Sequence, residues 1–219
     1  MKMGIFGFGN GQPQNVFTFG GKKDQMTPKQ FGYFAVTWSV NLSAEAVDAI
    51  CKSDHGSGDA TGPSLIARIA KRKESAHLEL LAIHAASYLC YAIAVLNVQK
   101  QVVEEMRPGI VDGIATIQRE KGKSLPEQQQ QYIHRLIGEY CKTVMSDFHT
   151  EKDPRAIDVN GSATFRLFLR HVIPAYSEDY DQPENFSDIE TTFVLSHSVS
   201  DSVVGLMMAL KTQGLVFHP

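Results

Sequence analysis

Glu74 and His77 stand three residues apart in a stretch whose apolar periodicity is helical, so a carboxylate and an imidazole fall one turn apart on one face. Helical bundles that hold transition metals use this ExxH spacing. Alternate steps of four and three from His77 lead through Leu81 to His84, Tyr88 and Tyr91, then to Val95, Val98 and Val102. The first half of this heptad-like seam is polar-tipped. Near the C-terminus, His197 and Asp201 are four apart on another helical face, a second spacing suited to ligation or proton relay. Glu74, His77, His84 and His197 are therefore the candidate ligands of a transition metal. A di-metal site would need a second ExxH and two further glutamates, and the chain has no second ExxH. The competing reading is structural: buried histidines, with Tyr88 and Tyr91, form a polar core seam satisfied by hydrogen bonds.

Other motifs carry less chemistry. Gly56, Gly58 and Gly62 precede a helix start with Asp54 and Asp59 nearby, yet GxxxxGK[ST] is absent and the aspartates do not match an EF-hand, so 53–62 reads as a connector. There is no GxSxG, and Cys90, inside an apolar run, is expected to be buried and inert. No catalytic residue is assigned. Cys51, Cys90 and Cys141 lie far apart without a CxxC, as reduced thiols of a cytoplasmic protein would. Tyr176, Glu178, Asp179, Tyr180 and Asp181 form an acidic, aromatic stretch able to dock a basic partner.

The elements that must position these residues follow from punctuation and periodicity. Leu80 to Val98 is nineteen residues without a charge, close to the roughly 20 a membrane helix needs. Five alanines, together with His84, Ser87, Tyr88, Tyr91 and Asn97, argue for a buried core helix instead, and no membrane span is favoured. The periodicity extends it to one long central helix over about 64–107, about 65 Å by the rise per residue. Only a thin line through Glu79, Ala86, Ile93 and Lys100 is left for water. Pro108 and Gly109 are expected to kink or break the chain, followed by a shorter helix closed by Gly122.

Thr27-Pro28-Lys29-Gln30 is a capping-box start with Pro at N1, Asn41 interrupts the pattern, and Ser43 caps a second short helix through Cys51. Ser124 to Glu127 and Ser187 to Glu190 repeat the box. Helices follow over about 127–148, 163–173 and up to Lys211, where Gly214 stops the last. Alternating glycine and phenylalanine at the N-terminus suggests short strands at about 3–8 and 15–20, and the tail LVFHP suggests another. The N-terminal stretch has no 7 to 15 residue apolar run and no small-residue cleavage site, so no secretory export is expected.

The expected fold is all-α: a helical bundle of about six or seven helices around the central one, with a small N-terminal β-hairpin. Residues 1–26 form a leader or hairpin and 27–219 a single helical domain. With 21 basic and 24 acidic residues among 219, net -3, there is no electrostatic footprint for nucleic acid. Two functions fit. One is a protein–protein interaction module, such as an inhibitor, immunity-type or assembly factor, with another protein as partner and a homo-oligomer compatible. The other is a metal- or cofactor-binding bundle enzyme built on the Glu/His seam.

Overall fold

A computed structural model describes residues 15–20, 25–52, 65–150, 163–173 and 203–219. They form an all-α bundle with one small antiparallel sheet. In chain order the elements are β1 (Val16–Phe19), α1 (Pro28–Lys52), α2 (Leu65–Ala70), α3 (Lys73–Ala94), α4 (Lys100–Glu120), α5 (Glu127–Thr150) and α6 (Ala163–Val172), then α7 (described over Val203–Thr212) and β2 (Leu215–His218). β1 is the strand expected near 15–20. It pairs with the tail strand β2, Val16 opposite His218 and Phe19 opposite Leu215. The strand expected at 3–8 lies outside the described residues.

α3 is the hub. It packs on α1, α4, α5 and α6, and from Ala76 to Cys90 every residue but Leu78 is buried. By length and composition it is long and apolar enough to cross a membrane, yet 83% of its most apolar window is covered by the protein itself. The expected water-facing line is corrected in its first half: Glu79 and Ala86 are buried, and only Ile93 and Lys100 are exposed. Between Ala76 and Cys90 the helix is enclosed because α5 and α6 cover the face a two-layer packing would leave wet.

The single helix over 64–107 is also corrected, to α2, α3 and the first part of α4. A turn at Lys71 and Arg72 separates α2 from α3. After Ala94 the chain unwinds at Asn97, which adopts φ 54°, a left-handed conformation that asparagine tolerates. The Val98 N–H reaches back to the Ala92 carbonyl, and Gln99 is extended before α4 begins. Hydrophobic periodicity survives this break, which is why the sequence pattern runs through it.

Pro108 ends no helix. It lies inside α4, where its missing N–H leaves the carbonyl of exposed Glu104 open to water. Gly109 explains the packing there: a Cβ on it would lie 1.9 Å from the Lys29 carbonyl oxygen, and one on Gly32 would lie 2.2 Å from that of Met106. α1 and α4 thus cross backbone to backbone. At the end of α4 the N–H of Lys123 bonds to Gln118 O and that of Gly122 to Arg119 O, with Gly122 at φ 73°, a Schellman closure as the sequence indicates.

α1 is continuous, so the expected break at Asn41 is corrected as well. Ser39 and Ser43 donate to the carbonyls of Ala35 and Ser39, satisfying their hydroxyls within the helix instead of capping a new one. Its start is the capping box: Thr27 N–H bonds Gln30 Oε1 at 2.9 Å, and Gln30 N–H bonds Thr27 Oγ1 at 3.3 Å. Aromatic rings tie the sheet to α1. Phe17 stacks on Phe31 at 4.3 Å, and Phe19 meets Phe34 edge-on at 5.4 Å.

Candidate functional site

The first turns of α3, the end of α4 and the start of α5 enclose an open cleft of about 570 Å³, lined by Glu74, His77, Gln118, Lys121, Lys123, Gln129 and Tyr132 among others. The Schellman turn at Gly122 places two of these lining residues, Lys121 and Lys123, on either side of a fixed reversal.

His77 is 7% exposed and engaged at both nitrogens. Lys121 Nζ lies 3.1 Å from Nδ1, and because an ammonium only donates, Nδ1 is the acceptor. The proton therefore sits on Nε2, which donates to the Val40 carbonyl at 3.3 Å. Burial, reinforced by the Lys121 charge, lowers the imidazole below its ordinary range and keeps it neutral. Glu74, by contrast, is largely exposed and ion-paired with Lys123, whose hydrogen bond and charge lower its carboxyl.

His84 lies on the same seam, deeper in the core and away from the cleft. Its Nδ1 is 2.9 Å from Ser43 Oγ. The one hydroxyl hydrogen of Ser43 goes to Ser39 O, so Ser43 accepts from His84 Nδ1–H. Burial pushes this histidine down to about 4. Tyr88 is 1% exposed, its hydroxyl close to Ser39 but without a hydrogen bond of good geometry among the described residues, and Tyr91 is half-buried at the edge of the core. Among the described residues no three His, Cys, Asp or Glu side chains are grouped to hold a metal ion. Glu74, His77 and His84 share a seam without converging. His197 and the acidic stretch Tyr176, Glu178, Asp179, Tyr180 and Asp181 lie outside the described residues.

A second polar cluster escapes sequence reasoning. Glu79, 4% exposed, accepts from the Tyr140 hydroxyl at 2.6 Å and from His171 Nδ1 at 3.0 Å on Oε2, and from the Tyr132 hydroxyl at 3.3 Å on Oε1. Glu139 stands 3.8 Å from the other nitrogen of His171. The hydrogen bond to Glu79 raises His171, against the opposing effect of its partial burial. Burial and the Glu79 charge push Tyr132 up to about 12 and Tyr140 well above the ordinary phenol range. One sequence signal existed: Tyr132 and Tyr140 are eight apart, two turns on one face of α5, aimed as a pair at α3.

Tyr132 joins the two clusters, since it lines the cleft and donates inward to Glu79. Its hydrogen is therefore committed, and both nitrogens of His77 are occupied. Among the described lining residues, the groups that can meet a ligand are the Lys121 ammonium beyond its bond to His77, the Lys123 ammonium and Glu74 carboxylate already paired with each other, the hydroxyls of Ser75 and Ser124 and the amides of Gln118 and Gln129. Two lysines against one glutamate leave this lining net positive, which suits an anion, and the lining places no base or nucleophile poised near neutral pH. No protein-family model, curated protein or solved structure matches the chain.

Proposed function

We propose that this chain is a protein-binding module whose working surface is the α3–α4–α5 cleft and whose partner presents a carboxylate there. The observation that carries this reading is the hydrogen bond from Lys121 to His77 Nδ1 at 3.1 Å. It holds a cation against the wall of an open cleft, so less side-chain freedom is lost on meeting an anion than for an unrestrained lysine. The neutral imidazole contributes orientation without a second charge. The lining is half polar and the cleft open, unlike the enclosed, mostly apolar pockets that take small molecules. A cytoplasmic setting belongs to the same reading, supported by three free cysteines.

The test is fluorescence anisotropy with a labelled oligoglutamate peptide. Binding should weaken with salt, and Lys121→Gln should reduce affinity about fivefold, the worth of one ordered charge contact of about 1 kcal/mol. An oligoglutamine peptide should not bind. Equal affinity in the substituted protein would remove the cleft as the interaction surface.

A further inference from the structure

Away from the cleft, α3 and α5 bring two thiols together. Cys90 Sγ lies 3.7 Å from the Cys141 carbonyl oxygen, across 51 residues of sequence. Both cysteines are free. The proximity of the two thiols raises Cys90 and lowers Cys141. Arg107, reaching over from α4, assists: its guanidinium passes 3.7 Å from the Cβ position of Gly138, one turn before Cys141, and its charge favours the Cys141 thiolate while Glu104 opposes it. Access differs in the same sense. Cys90 is buried, whereas Cys141 is half-buried. Cys51, on α1, is raised by burial.

We propose that Cys90 and Cys141 form a redox-reversible pair, oxidised by a small-molecule disulfide of the glutathione class, with Cys141 as attacking and Cys90 as resolving sulfur. The Cys141 thiol releases its proton to solvent, and the thiolate attacks one sulfur of RSSR, forming Cys141–S–S–R and expelling RS⁻. Cys90 then gives its proton to that RS⁻ and attacks the Cys141 sulfur. The Cys90–Cys141 bond forms, a second RS⁻ leaves, and solvent protonates it. Two protein thiols have lost two electrons and two protons, and RSSR has become two RSH.

The experiment treats the reduced full chain carrying Cys51→Ser with oxidised glutathione, followed by acid quench, intact mass and peptide mapping. The expected product has lost two hydrogens, retains no glutathione, yields a cross-linked 90–141 peptide, and is restored by dithiothreitol. With Cys90→Ser added, the attack has no resolving partner and a stable glutathione adduct accumulates on Cys141. With Cys141→Ser added, Cys90 stays unmodified. Cys90→Ala serves as the second resolving-site variant if the serine perturbs folding, as judged by circular dichroism. A glutathione adduct persisting on Cys141 while Cys90 is intact, equal reaction of Cys90 without Cys141, or no reaction at either would overturn the proposal.

Discussion

His171 Nδ1 lies 3.0 Å from Glu79 Oε2, joining the last turn of α6 to the buried first half of α3. The other end of α6 is held in a parallel way: Asp147 of α5 accepts from the N–H groups of Ala163 and Thr164 at 2.8 and 3.1 Å. A ten-residue helix, too short to be stable alone, is thus fastened at both termini by carboxylates from its neighbours.

Because Glu79 raises His171 above its ordinary value near 6.5, the pair stabilises the fold fully below that pH. There, imidazole is protonated in both folded and unfolded chains, and only the folded one has the partner. As pH rises through the folded value this advantage disappears. Glu79→Gln should therefore destabilise most near pH 6 and less near pH 9, measured as the shift in urea midpoint. A penalty growing with pH would contradict the arrangement.

His84 has the opposite sign. Its folded value is about 4, so the unfolded chain takes up a proton first as pH falls below about 6.5, and stability declines until pH passes the folded value. The loss is on the order of 3 kcal/mol for this fully buried ring. Burial of His77 adds in the same direction. His84→Gln should lower stability at pH 7 yet flatten the acid limb between about pH 6.5 and 4. An acid limb as steep as in the unsubstituted protein would show that other groups control it.

The α1–α4 crossing gives a prediction without charge. Ala at Gly109 would place a methyl group 1.9 Å from a backbone oxygen that cannot rotate away, so the helices must separate. A loss of about 3 kcal/mol or more is expected, well beyond the gain of up to about 1 kcal/mol from alanine's helix propensity. Gly205 on α7 is the control: no described residue lies within 4 Å of its Cβ position, and Gly205→Ala should raise the thermal midpoint. Equal effects of the two substitutions would mean the crossing is looser than described.

Residues whose signals are local were legible in the sequence. The Thr27 and Gln30 box, the Gly122 closure and the apolar face of α5 each follow from spacings within two turns. The break at Asn97 was hidden because apolar residues continue in helical phase on both sides. Glu79 was misplaced for a related reason: a lone carboxylate on an apolar helix suggests solvent, and Tyr132, Tyr140 and His171, 53, 61 and 92 residues away, supply the donors that offset its burial. Cys90 and Cys141 were separated by the same kind of distance. What the seam does was legible only in outline, since Val40 and Ser43 supply the partners that turn His77 and His84 into core groups.

Two buried tyrosines test whether polar groups here are assets or costs. Tyr140 gives its hydrogen to Glu79 at 2.6 Å, a charge-assisted bond, whereas the Tyr88 hydroxyl has no hydrogen bond of good geometry among the described residues although the residue is 1% exposed. Removing the Tyr140 hydroxyl leaves Glu79 with one donor fewer in a dry site, so Tyr140→Phe should cost about 2 kcal/mol. Removing the Tyr88 hydroxyl deletes a group left unsatisfied among the described residues and keeps the ring that meets Phe31 edge-on at 6.2 Å. Tyr88→Phe should therefore be neutral or stabilising by up to about 1 kcal/mol. Parallel urea melts of the two variants decide it. A large loss in Tyr88→Phe would mean that its hydroxyl is bound in solution, by water or by a neighbour such as Ser39, and that the seam is fully hydrogen-bonded.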